Sequence, residues 1–159
     1  MRKILKVSLL ILVLLFIGIQ VNRPVRSNPP VDRVKEISAV HPMTPVVSAI
    51  LQGSCNDCHS NQTVWPWYSN VAPASWLVAS DVNNGRDALN FSAWGAYSSE
   101  KRQELMGKMC EQVKDREMPL SQYILLHPGA RLNASGVQAL CSWTQQIAPT
   151  TQEAEEEGD

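Results

Sequence analysis

The chain is poor in aromatic rings and carries almost no net charge. Its 159 residues include only two phenylalanines and three tyrosines, and its formal net charge at pH 7 is -1. Charge is pushed to the two ends. Arg2, Lys3, Lys6, Arg23 and Arg26 flank the first apolar run, and Glu153, Glu155, Glu156, Glu157 and Asp159 close the chain. The stretch between them is nearly neutral, which argues against nucleic-acid binding. Internal repeats are absent. Cysteine is scarce: four residues, of which Cys55 and Cys58 form a C-x-x-C pair while Cys110 and Cys141 stand alone. The second ligand pair of a structural zinc site is therefore missing. The βαβ pattern that accompanies a redox dithiol is missing too. The length suits one domain with extensions.

What is present is Cys55-Asn56-Asp57-Cys58-His59. This C-x-x-C-H spacing is that of covalent c-type haem attachment. Two thiols three positions apart can reach the two vinyl groups on one porphyrin edge and form thioethers. His59 then follows closely enough to place an imidazole nitrogen on the iron as the proximal ligand. One covalent haem c on Cys55 and Cys58 is the expected cofactor. It would supply core that a small domain with few phenylalanines and tyrosines otherwise lacks.

Residues 1–21 read as a signal peptide or a signal anchor. Arg2 and Lys3 precede an apolar run from Ile4 to Val21, broken by Lys6 and Ser8. No A-x-A cleavage site follows, which favours an anchor. The positive start predicts a cytoplasmic N-terminus and a domain on the periplasmic face of the bacterial inner membrane, or free in the periplasm if the segment is cleaved. Residues 22–44 contain Pro24, Pro29, Pro30 and Pro42, predicting an extended tether that holds the domain off the membrane.

Residues 45–148 predict an all-α domain. Thr44-Pro45 looks like an N-cap and first helical position, with a helix to about Asp57 that delivers the cysteines. The ring-rich loop Asn61–Ser69 offers Trp65, Trp67 and Tyr68 as walls for a flat macrocycle, or as core filler. A second helix spans Ala74 to Asn83 and ends at Gly85. Asn90–Trp94 reads as a loop. Ser98 or Ser99 caps a longer helix with the stripe Leu105, Met106, Met109, Cys110 and Val113. A short helix, Ser121–Leu126, precedes His127-Pro128, and Asn133 or Ser135 caps the last helix. The acidic stretch 149–159 predicts a disordered tail.

The iron's sixth position has several candidates. Met118 is the first choice, because it sits in a loop stiffened by Pro119 and a thioether suits electron transfer. His127 or His41 would give bis-histidine ligation, and an open site is the remaining option. In an oxidising compartment Cys110 and Cys141 are expected to pair as a disulfide, with two buried free thiols as the alternative.

Taken together, these elements resemble the haem-binding domain proteins of bacterial periplasms, which are small, monohaem and often membrane-anchored. The resemblance rests on Cys55-x-x-Cys58-His59-Ser60-Asn61, Trp65-Pro66-Trp67-Tyr68-Ser69, Leu89-Asn90-Phe91-Ser92-x-Trp94, Met118-Pro119, His127-Pro128 and Leu140-Cys141-x-Trp143. It implies a mostly helical, cytochrome-c-like fold and assigns haem attachment and ligation to Cys55, Cys58 and His59. The function expected is a membrane-tethered electron carrier that docks transiently to a redox partner protein. A peroxidase-like enzyme using His127 and Arg86 at an open distal site, or a haem-based sensor, are the alternatives.

Overall fold

Prolines and polar caps divide the chain into short helices. In the computed structural model, which describes residues 1–147, every regular element is helical. The acidic tail expected over 149–159 lies outside the described residues. The helices are α1 (Arg2–Ile19), α2 (Ile37–Val40), α3 (Pro45–Ile50), α4 (Asn56–His59), α5 (Ala74–Ala88), α6 (Ser99–Lys114), α7 (Ser121–Leu126) and α8 (Ala134–Ile147). A single π turn, Leu51–Cys55, joins α3 to α4. Tight 3-10 turns cover Arg33–Lys35, Trp67–Asn70, Phe91–Ala96 and Pro128–Ala130.

Local chemistry explains most of the boundaries. Thr44 Oγ1 accepts from the Val47 amide at 3.3 Å, Ser98 Oγ from Lys101 at 3.2 Å, and Asn133 Oδ1 from Gly136 at 2.8 Å. Each satisfies an amide that the first helical turn leaves without a partner. At its far end α6 stops where Arg116 takes a φ of 61°. That turn lets the amides of Glu117 and Met118 both donate to the Gln112 carbonyl, at 2.9 and 3.1 Å. A non-glycine residue there costs about 1–2 kcal/mol, and the turn delivers the chain to Met118.

α6 and α8 pack against each other, and α3 packs on α8. The predicted stripe of α6 is buried at all five positions, Leu105, Met106, Met109, Cys110 and Val113. Leu140, Cys141 and Trp143 of α8 face it within the same core as Trp94, Phe91 and Val47. Cys110 and Cys141 are joined by a disulfide, S–S 2.08 Å, that ties α6 to α8.

Several sequence expectations about element boundaries change. The helix expected from Pro45 to about Asp57 is divided into α3, the π turn and α4, which ends at His59. Gly85 does not end α5, which continues to Ala88. Asn90–Trp94 is not an irregular loop but runs into the 3-10 turn Phe91–Ala96, capped by Asn90 Oδ1 accepting from Ser92 N at 2.9 Å.

In the segment 22–44 the proline-containing first part, residues 22–32, is extended; the 3-10 turn Arg33–Lys35 and α2 follow within it, and the segment is laid on the domain instead of standing away from it. Backbone carbonyls that the prolines leave out of any ladder accept side-chain donors from the domain. Trp143 Nε1 donates to Pro42 O at 2.9 Å, Asn61 Nδ2 to Pro30 O at 3.1 Å, and Trp76 Nε1 to Asn22 O at 2.7 Å. Ile37 is buried in the core and anchors the segment further.

No residue of α1 is buried. Arg2, Lys3 and Lys6 all fall within it, and no helix among the described residues is long and apolar enough to cross a membrane.

Candidate functional site

The site is built where α4 meets α5. The π turn Leu51–Cys55 widens the helical path just before Asn56, so α4 starts on a shifted register and ends at His59. α5 approaches this segment closely. A Cβ at Gly85 would stand 2.6 Å from the Cys58 carbonyl oxygen and 3.0 Å from Cys58 Cβ, so only glycine allows the contact.

The same approach fixes His59. Its Nδ1 lies 2.9 Å from Gly85 O and 3.1 Å from Leu89 O. Carbonyl oxygens can only accept, so Nδ1 carries the proton and donates, and Nε2 is left with its lone pair. Burial lowers the His59 pKa, partly opposed by the two carbonyls, and so favours the neutral imidazole that a metal requires.

The chain beyond His59 is held by a net of hydrogen bonds. Thr63 Oγ1 donates to Asp57 O at 2.7 Å, and the Val64 amide to Asp57 Oδ1 at 3.0 Å. The Asn61 amide donates to Ser92 Oγ at 3.0 Å, and Asn90 Nδ2 to Asn61 Oδ1 at 2.9 Å. Arg86, one residue past Gly85, gathers the rest. Its Nε donates to Ser60 O at 2.8 Å, and its Nη2 to Thr63 Oγ1 and Asn28 Oδ1, each at 2.9 Å. Its Nη1 donates to Ser27 O at 2.9 Å.

These elements enclose a cavity of about 590 Å³, within the range of small-molecule and cofactor sites. Cys55, Cys58 and His59 line it together with Leu77, Val78 and Val82 of α5. Met118, Pro119, Leu120, Tyr123, Leu126 and His127 also line it. α7 is tied to the cysteine motif by Tyr123 Oη, which donates to Asp57 Oδ2 at 2.8 Å. Tyr123 also stacks on His127, with ring centroids 4.2 Å apart at 24°. His127 Nδ1 sits 3.1 Å from the Tyr123 carbonyl and donates to it, again leaving Nε2 free to accept. Burial first, then the Asp57 hydrogen bond, raise the Tyr123 pKa and keep its hydroxyl protonated.

Cys55 and Cys58 are free thiols in this arrangement. Burial and then the neighbouring Cys58 push Cys55 up to about 12. Burial, then Asp81 and Asp57, push Cys58 up to about 11. Neither is poised as a thiolate, the form a redox dithiol needs for attack. Among the described residues, no three histidine, cysteine or acidic side chains converge as a group that could hold a metal ion. Two alkylatable thiols, an imidazole with a free Nε2 and a thioether on one largely apolar cavity form a donor set that fits a haem.

The structure thus brings together Cys55, Cys58, His59, Tyr68, Met118 and His127. It does not bring Trp65, Trp67, His41 or Arg86 into the lining. Trp65 turns its Nε1 to Asn28 Oδ1 at 3.1 Å, so its ring holds the N-terminal segment rather than the cavity. Trp67 is 78 % exposed and meets Tyr68 edge-on at 5.8 Å. His41 lies against Trp94, ring centroids 5.9 Å apart, and does not line the cavity. Arg86, the cation of the enzyme reading, directs its donors at carbonyl and side-chain oxygens that hold the fold. Sequence reasoning missed Asp57 as an acceptor and the α5 wall. The wall had a signal: Val78, Val82 and Gly85 recur at helical spacing on one face.

Comparison with curated proteins finds no match, and comparison with solved structures finds none. The family model of the haem-binding domain matches residues 14–146, a span that takes in the end of α1, the strapped segment and the whole cavity, and the chain belongs to that family.

Proposed function

We propose that the chain carries one haem covalently on Cys55 and Cys58, ligates its iron through His59 and Met118, and passes single electrons to a partner protein at the periplasmic face of the inner membrane. The observation that carries this reading is the commitment of His59 Nδ1 to Gly85 O and Leu89 O, which leaves Nε2 as a neutral donor on a cavity that Met118 also lines. When bound, haem supplies a one-electron iron couple whose potential a thioether ligand raises. The chain's own residues do the rest. Gly85 and Leu89 hold the imidazole in one tautomer and one orientation. Leu77, Val78, Val82 and Leu126 give the cavity apolar walls. The Tyr123–Asp57 bond ties the Met118 side of the cavity to the cysteine motif.

The N-terminal helix supports export and membrane attachment by its cationic start and its exposed apolar side chains from Ile4 to Ile17. A shorter apolar span of this kind can be accommodated when flanking cations snorkel to the interface.

A second reading has its own observation. His127 also lines the cavity with Nδ1 engaged, so it is a rival for the sixth position. Spectra and potentials of Met118→Ala and His127→Ala, matured with a haem c attachment system, separate the two. Met118→Ala is expected to lower the potential and open the iron to carbon monoxide, while His127→Ala changes neither. The reverse pattern would remove Met118 as the ligand.

A further inference from the structure

α1 has no slack between itself and the domain. One residue beyond its last turn, the Gln20 side chain pairs with the Ala72 backbone on both edges. Gln20 Nε2 donates to Ala72 O at 3.1 Å, and the Ala72 amide donates to Gln20 Oε1 at 2.9 Å. Two residues later, Asn22 O accepts from Trp76 Nε1 at 2.7 Å. Arg26 Nη1 then donates to Ser69 Oγ at 3.1 Å and to Asn70 Oδ1 at 2.6 Å. The chain is fastened to the domain from the point where the apolar helix ends.

The surface around that exit is apolar and cationic. Val21, Val25 and Trp67 are 86 %, 81 % and 78 % exposed, and Trp76 and Val71 are partly exposed beside them. None of the ion pairs among the described residues involves Arg23 or Arg26. Exposed tryptophan and valine beside unneutralised arginine are the chemistry of a lipid–water interface with anionic headgroups.

We infer that this patch rests on the bilayer surface, so that the domain sits on the membrane in one fixed orientation instead of swinging on a tether. The inference rests on the membrane attachment of α1 proposed above. The patch is contiguous in sequence with the cavity wall: Pro66 and Tyr68 flank Trp67, and Leu77 follows Trp76. A haem bound in this cavity would then keep one orientation relative to the membrane.

The test uses the full-length haem-loaded protein with vesicles of phosphatidylethanolamine and phosphatidylglycerol. Flotation reports attachment. Electron paramagnetic resonance of the ferric haem in oriented multilayers of the same lipids reports orientation. The wild type is expected to float and to give a signal that changes with the tilt of the multilayer. The double variant Val25→Glu/Trp67→Glu, at two exposed positions, is expected to float through α1 but lose the tilt dependence. Val46→Glu, exposed on α3, is expected to keep it. Flotation without tilt dependence in the wild type, or tilt dependence that survives in the double variant, would overturn the inference while leaving attachment intact. Failure of the wild type to float would overturn attachment itself and this inference with it.

Discussion

Gly85 sets the distance between α5 and the cysteine motif by having no side chain. A methyl group there meets the Cys58 carbonyl at 2.6 Å, a backbone atom that cannot swing aside. Helix propensity alone would make Gly85→Ala stabilising by up to about 1 kcal/mol. The clash is larger, with overpacking typically costing about 1–3 kcal/mol. Gly85→Ala is therefore expected to be destabilised in a urea titration and to show a shifted haem spectrum, because the carbonyl of the same residue orients His59. Equal midpoints and identical spectra would contradict this. The convergence of Cys55, Cys58 and His59 on one cavity was legible from their spacing. Gly85 was legible only as a glycine. Its commonest use near a helix end suggested a stop, and the partner that needs it comes from another element that local sequence does not reveal.

α7 is a short helix with no buried residue, so its position depends on what ties it down. The Tyr123 hydroxyl is such a tie, 2.8 Å from Asp57 Oδ2. Tyr123→Phe removes the donor and leaves a carboxylate oxygen without that partner, at a cost of about 1–2 kcal/mol. The segment from Met118 to His127 should loosen, and the reduced Tyr123→Phe variant is expected to bind carbon monoxide, to which the wild type is indifferent. A variant as indifferent as the wild type would show that α7 is held by its packing alone. At this scale the sequence was informative where periodicity or caps decide: the α6 stripe was readable, and the caps were each narrowed to two residues, of which Ser98 and Asn133 serve. Trp65 and Trp67 were not, since a tryptophan-rich loop beside a haem motif looks the same whether its rings face inward or hold a neighbouring strap. The π turn left no signal either, because its residues are ordinary helix formers apart from Gly53.

The domain as a whole is clamped at two places. One is the strap of residues 22–44, whose carbonyls and Ile37 engage the domain along their length. Proline content announced extension, but docking depends on donors such as Trp143 and Trp76 that are far away in the chain. The other clamp is the Cys110–Cys141 disulfide, which closes a loop with a sequence separation of 31. Replacing both cysteines with serine is expected to lower unfolding free energy by about 3–4 kcal/mol in the chain-entropy view. Calorimetry with matched thiol titration checks this; an unchanged melting temperature would contradict it.

The central claim is that a haem is held by this cavity through Cys55, Cys58 and His59. It is tested most directly by maturing the full chain with a haem c attachment system, denaturing it, and recording mass and spectrum. The haem is expected to stay with the denatured chain, and the native protein is expected to be low-spin and indifferent to carbon monoxide. A haem that washes away on denaturation would contradict covalent attachment, and a chain that takes up no haem at all would contradict the account of the site.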